Sequence, residues 1–355
     1  MIYFFFIFFV SYLSVNYEKY KEVKYLEHVV FFILFLIIGL RFRTGGDFRP
    51  YLDQYDNIAK IAEEGKLPNI FNIYEYINFL SHILSLNIFG TNIICSFLFT
   101  YFLYFFLKKF KNVYFSLVLA FPVLVMVYGI GSIRQGLSIA LFLSIFSLRY
   151  EIQKVIAIFL GLLLHSASII YLLVYLGGFF KGNFIYSKSL KKKNLNLILF
   201  WLLFIIVIIF FKTDQYINYI KYYFLQDVYT SSGFILRQTP TFICAIIYYK
   251  LYSNKNLIMD KFFNNIFLII SIFSLLLFPF GFFYSTIVDR LMGYFLPLQI
   301  VLINTLYAHT PKKNKQTFNY FFCIYSIFFL GIWYFFGNNS IAWIYEFFFL
   351  PIKFW

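Results

Sequence analysis

The sequence predicts an all-α, polytopic integral membrane protein, and three observations carry that prediction. Of 355 residues, 62% are hydrophobic, 25% aromatic and only 13% charged, with a mean hydropathy of +0.77. One soluble core cannot bury that much apolar surface. Uninterrupted runs such as LILFWLLFIIVIIFF (197–211) and FNNIFLIISIFSLLLFPFGFF (263–283) approach or reach the roughly 20 residues that cross a hydrocarbon layer. The lysines stand in short blocks between those runs, as cytoplasmic loops require.

Placing every Lys-rich block in the cytoplasm gives inner segments 16–28, 108–112, 149–154, 181–194, 250–261 and 309–316. They hold 19 of the 30 Lys and Arg and 5 of the 15 acids, leaving 11 and 10 elsewhere, so the balance is +14 inside against +1 outside. The net charge of +15 is therefore topological; no basic domain is left to bind nucleic acid. The opening MIYFFFIFFVSYLSV lacks a basic n-region and a cleavage site, which predicts a retained span over 1–15.

Further spans are expected at 28–42, 90–107, 113–130, 135–149, 195–211, 237–252, 262–284, 290–308 and 317–335. The run 155–180 has lysines at both ends, which predicts two short spans turning near Leu164 to Ser168, with His165 at the turn; one tilted helix is the alternative. Residues 73–88 carry Glu75 and His82. A carboxylate in lipid is costly, so this stretch is expected as a re-entrant or interfacial helix. The total is about 12 crossings with both termini outside. Residues 1–355 form a single membrane domain, with an external loop at 43–72 bearing an amphipathic helix and a second external loop at 212–236. Cys95, Cys244 and Cys323 lie in apolar runs without CxxC spacing and are expected as packing residues.

With the spans placed by lysines alone, four ionisable clusters fall on the outer side: Arg43 with Asp47, Arg134 with Gln135, His165, and Asp289 with Arg290. Arg134 opens an otherwise uncharged helix, where burial in lipid would cost about 3 kcal/mol or more. The bland alternative is an arginine snorkelling to head groups. An arginine fork matches phosphate bidentately, and several forks suit a pyrophosphate. Gly45 and Gly46 would let backbone N–H groups approach an anion. Asp47 or His165 could act as general base, His having the better-suited pKa. Against these stand a salt bridge from Asp47 to Arg43 and a hydrogen-bonded helix-end histidine. Asp53 and Asp56 read as a solvated helix face. HExxH, DxD, Walker, GxGxxG and GxSxG motifs are all missing, so no metal, cofactor or cytosolic nucleotide chemistry is expected.

The order of motifs resembles the EpsG family of Wzy-type polymerases that build bacterial exopolysaccharide, capsule or O-antigen. GLRFRTGGDFRPYLDQY follows a short first span, a Lys-rich loop and a second span. Glu75 opens the next helix, IRQGLSIALFLSIFSLRY precedes LLLHSASII, and DRLMGYF lies near the C-terminus. The chain departs from the pattern in its arginine-rich RFRTGGDFR and in Tyr76 and Asn78 after Glu75. The resemblance implies a GT-C-like helical bundle in the plasma membrane, without a nucleotide sugar or metal. It implies transfer between polyprenyl-pyrophosphate-linked oligosaccharides at the periplasmic or outer face, with a flippase and a chain-length regulator as partners beside the membrane lipids. On it, Arg43, Arg134 and Arg290 are expected at the donor pyrophosphate, and His165 or Asp47 at the acceptor hydroxyl. Tyr51, Gln135, Asp289 and Glu75 are expected to position substrate. Rival readings are an O-antigen ligase, a polyprenyl-phosphate-sugar glycosyltransferase, and a flippase or transporter, whose polar groups would gather at the midplane.

Overall fold

The computed structural model describes residues 2–183, 231, 233–253, 261–337, 340–347 and 353–354, and these are almost entirely helical. The chain divides into two compact units, Met1–Tyr171 with Gln299–Trp355, and Leu172–Leu298. Among the described residues four helices are long and apolar enough to cross a membrane: Asn87–Leu107, Val113–Gly131, Phe262–Phe280 and Lys312–Phe336. A fifth is added if Ser285–Phe295 and Pro297–His309 form one bent span. Large apolar side chains on their flanks, such as Phe97, Leu276, Phe321 and Phe328, are exposed, as lipid-facing residues should be.

In the first unit, α1 (Ile2–Val15) packs on α7 (Val113–Ala120) and on α15 (Lys312–Phe336). The short α2 (Tyr17–Tyr20) leads to α3 (Leu26–Gly39), which lies against α6 (Asn87–Leu107). That contact is close because Gly39 faces Ser96; a Cβ on Gly39 would sit 2.6 Å from the Ser96 hydroxyl. The loop that follows β1 contains α4 (Phe48–Glu63), which is amphipathic. Phe48, Tyr51, Tyr55 and Ile58 are buried, while Arg49, Asp53, Asp56 and Lys60 face out.

Helix α4 rests on α5 (Ile73–Ile83), the helix expected over 73–88, and Tyr55 closes a small cluster with Ile88 and Phe89. A sharp turn with left-handed backbone at Ser85 and Asn87 returns the chain into α6. Helix α7 passes into an 11-residue π-helix, Phe121–Gly131, with Pro122 in its first turn and the Ser132 N–H on the Val127 carbonyl at 2.9 Å at its end. The turn expected at Gly129 to Arg134 is thus the end of a π-helix broken at Ser132. From there α8 (Ile133–Ser144) runs back, packed on α6 and on α9 (Glu151–Leu164).

After Leu164 the helix stops. His165 is extended (φ −148, ψ 117), Ser166–Ser168 form one 3-10 turn, and α10 (Ile169–Asn183) follows, so the break falls where the sequence places it. Against a purely helical expectation, three short antiparallel strands pair: β1 (Arg41–Phe42), β2 (Tyr345–Phe347) and β3 (Lys353–Phe354), with Arg41 opposite Phe347 and Glu346 opposite Lys353. Two-residue strands carry no periodicity that sequence reading can detect.

The second unit contains the paired helices α11 (Phe234–Ser253) and α12 (Lys261–Phe280), and then α13 (Ser285–Met292). The reversal expected at Ser285 to Arg290 lies instead at 281–284, leaving Asp289 and Arg290 helical. The helix α14 (Pro297–His309) leads into α15. The span expected at 195–211 and most of the loop at 212–236 lie outside the described residues.

Candidate functional site

Arg134 is the point on which α4, α5 and the end of α9 converge. It occupies the first turn of α8, immediately after the π-helix. Its Nε donates to the Leu164 carbonyl at 3.4 Å and Nη1 to Gln54 Oε1 on α4 at 3.3 Å. The guanidinium lies over the Tyr74 ring of α5, 5.3 Å from its centroid. This is a cation–π contact in a half-buried position. The Tyr74 and Tyr51 rings meet at a tilt, with centroids 5.3 Å apart. Burial, reinforced by the Asp47 carboxylate, pushes the Tyr51 phenol well above its ordinary pKa, so it stays protonated.

Asp47 reaches the same place through Ser132, whose hydroxyl donates to Asp47 Oδ2 at 2.6 Å. Among the described residues it forms no salt bridge with Arg43. Arg43 is exposed, has positive φ (47°), and folds over the Phe42 ring at 5.0 Å. Gly45 matters by absence of a side chain. Its φ is +104°, and a Cβ would meet the Gly131 Cα and the Ile130 carbonyl at 2.9 Å, so the TGGD loop lies directly on the end of the π-helix. Its N–H is spent on the Ala342 carbonyl at 2.8 Å and is not presented to an anion. Gly46 is exposed.

His165 is half-buried and follows the Leu164 carbonyl that Arg134 holds; its own carbonyl accepts the Ser168 hydroxyl at 2.7 Å. Gln135 is buried on α8. Glu75, next to Tyr74, is turned to the start of α5: it accepts from Asn72 Nδ2 at 2.7 Å and from the Asn69 N–H at 3.2 Å. Asp289 and Arg290 belong to the second unit. There Asp289 is paired with Arg237 through both carboxylate oxygens and accepts from Ser231 at 2.8 Å and Gln238 Nε2 at 2.9 Å. These bonds make Asp289 the centre of a buried ion pair.

Of the residues that the sequence reading gathers, Arg134, Tyr51, Asp47 and the backbone beside His165 lie in one neighbourhood of the first unit, whereas Asp289 and Arg290 belong to the second unit; that reading does not name Gln54, Tyr74 and Ser132. Gln54 was legible as the residue one turn after Tyr51 on an amphipathic helix. Arg237 had a signal too, because the dipeptide Arg134-Gln135 recurs as Arg237-Gln238 at the start of another helix. Among the described residues no group of three His, Cys, Asp or Glu side chains gathers as a metal site. Searches among curated proteins and among solved structures return no match. A sequence profile described as the EpsG family matches residues 24–354, and by that match, which covers nearly the whole chain, this protein belongs to the EpsG family.

Proposed function

We propose that the protein joins polyprenyl-pyrophosphate-linked oligosaccharide repeat units into a surface polysaccharide at the external face of the plasma membrane. Members of the EpsG family are Wzy-type polysaccharide polymerases, which gives the chain a general role in polysaccharide polymerisation. The observation that carries the finer reading is Arg134, a cation whose guanidinium is held by the Leu164 carbonyl, Gln54 and the Tyr74 ring without an acidic partner among the described residues. A fork fixed in place, and not neutralised, suits a pyrophosphate whose charge grows as the glycosidic bond breaks.

In the proposed reaction an acceptor hydroxyl attacks the anomeric carbon of the growing chain. The anomeric carbon–oxygen bond to phosphate breaks, and the polyprenyl pyrophosphate leaves with the bonding pair. The hydroxyl proton passes to His165 or Asp47. Asp47 already accepts a hydrogen bond from Ser132, and His165 lies at a helix break beside the arginine. Arg43 contributes from the adjacent exposed loop; Arg290 is assigned to phosphate binding on the sequence reading alone. The bundle is GT-C-like with about 12 crossings, and a flippase and a chain-length regulator act with it.

The test is the size distribution of surface glycan in a deletion strain carrying wild type, Arg134→Lys or His165→Ala at equal membrane levels. Wild type restores a ladder. Arg134→Lys keeps the charge but not the fork and loses polymer by about a hundredfold or more. A full ladder from Arg134→Lys rejects the role of the fork. A ladder that persists in the deletion strain, with no redundant polymerase present, rejects the polymerase. Long lipid-linked chains in place of single units would identify a ligase.

A further inference from the structure

The span Val113–Gly131 separates Arg134, which follows it, from a cavity at its other end. That cavity measures about 620 Å³ and belongs wholly to the first unit. Three stretches far apart in the chain close around it: the turn from α1 into α2, the residue Lys111 just before α7, and the end of α14 with the start of α15. They bring Lys19, Lys111, Lys312 and Lys315 to its lining, with Glu18 as the one acid. The charges do not cancel. Glu18 is paired with Lys21 at 2.8 Å, and Lys111 stands 3.9 Å from its other carboxylate oxygen. Among the described residues no carboxylate pairs with Lys19, Lys312 or Lys315, and Lys315 lies over the Tyr307 ring on the cavity wall, 5.3 Å from its centroid.

The floor of the cavity is tied together by hydrogen bonds. Ser14 is fully buried; its hydroxyl donates to Asn319 Oδ1 at 2.8 Å, and its carbonyl accepts from Asn319 Nδ2 and Asn112 Nδ2, both at 2.9 Å. These bonds fix the end of α1 to the starts of α7 and α15, so the hollow keeps its shape without a ligand. Recognition is then left to the lysines. Topology asks only that lysines lie on this side of the membrane, and it does not ask that four of them, from three stretches, line one hollow. Two helices lead away from it and pack on each other, α1 backwards from Val15 and α15 forwards from Lys312. Each carries a row of exposed apolar side chains at helical spacing: Phe5, Phe8 and Tyr12 on α1, and Phe321, Ile324 and Phe328 on α15. Such faces belong against hydrocarbon.

We propose that this cavity is the headgroup site of one anionic phospholipid molecule, its phosphate diester held by Lys19, Lys111, Lys312 and Lys315 and its acyl chains laid along the exposed faces of α1 and α15. Ammonium groups bind phosphate as point charges, and basic hollows between spans suit phospholipid headgroups. The volume lies in the range of roughly 300–1,000 Å³ that small-ligand sites occupy, enough for a whole headgroup. A soluble phosphate ester would meet the same lysines but leave the apolar faces unused. The site lies apart from the polymerase reaction and does not rest on that reading.

The test is thermal melting of the purified full-length protein in detergent micelles, titrated separately with dioleoyl phosphatidylglycerol, dioleoyl phosphatidylcholine and glycerol phosphate. Wild type should melt higher, saturably, with phosphatidylglycerol and not with the other two. Lys312→Gln with Lys315→Gln removes two of the four cations and should raise the half-saturating fraction of phosphatidylglycerol about tenfold or more. Lys19→Gln with Lys111→Gln, from other stretches of the chain, should do the same, which keeps the proposal testable if the first pair does not fold. Lys24→Gln with Lys109→Gln takes equal charge from exposed lysines that do not line the cavity and should leave binding unchanged. An equal loss in that control would show diffuse attraction to an anionic surface and overturn the site. Equal stabilisation by phosphatidylcholine, or unchanged binding in both cavity variants, would overturn it as well. Stabilisation by glycerol phosphate as strong as by phosphatidylglycerol would make the occupant a soluble phosphate ester and overturn the lipid assignment.

Discussion

The ion pair of Arg237 and Asp289 shows how a side chain read as a substrate contact can be structural. Each is largely buried (18% and 11% exposed), and Asp289 receives Ser231 and Gln238 besides. Removing one partner leaves an uncompensated charge, whereas removing both leaves an apolar contact. Arg237→Met alone should lower stability by about 3 kcal/mol, and the Arg237→Met, Asp289→Leu double variant should recover most of it. A double-mutant cycle of unfolding in detergent measures this. If the double variant is as unstable as the sum of the singles, the pair is not coupled and Asp289 returns to the list of substrate contacts. At this scale the sequence could name Asp289 but not its partner, because the two lie on different helices and their spacing in the chain carries no record of contact.

Among the helices, the π-helix Phe121–Gly131 decides where Arg134 stands. Its widened turn ends at Ser132, and α8 can start at once because Gly136 lies against the Tyr128 carbonyl, where a Cβ would sit at 2.3 Å. Carbonyl and helix backbone cannot move apart without shifting the whole first turn of α8. Gly136→Ala should therefore reduce the melting temperature and, by displacing Arg134, lose polymer even though Arg134 is intact. Gly331→Ala, on α15 with nothing within 4 Å, is the control and should do neither. A functional Gly136→Ala protein would separate the π-helix from the placement of the arginine. Nothing in FPVLVMVYGIG announces a π-helix: the run has the composition of any buried helix, and the wider turn comes from its packing.

For the whole molecule, the arrangement in the membrane follows from charge. The positive blocks are expected inside, and that expectation puts the loop of Arg43 and Asp47 outside. The three native cysteines are all buried, so single introduced cysteines can be read without a cysteine-free background. Asp53→Cys on exposed α4 should react with an impermeant maleimide when the plasma membrane is sealed, and Lys312→Cys at the start of α15 only after it is opened. The reverse pattern would turn the molecule over and put the Arg134 site in the cytoplasm.

Taken alone, the sequence determines the helical class, the amphipathic α4, the break at His165 and the family, because hydropathy, periodicity and motif order are local and cumulative along the chain. It also selects Arg134, Tyr51, Asp47 and His165, since a polar residue at the edge of an apolar run is costly unless it has a task. The tertiary structure alone decides that Asp47 meets Ser132, that Gln54 and Tyr74 hold Arg134, that Glu75 bonds Asn69 and Asn72 just before its own helix, and that Arg41 is buried. Those facts depend on contacts between residues far apart in the chain, such as Gly45 against Gly131 and β1 against β2, and the energy of such a contact belongs to the pair and is written in neither residue by itself.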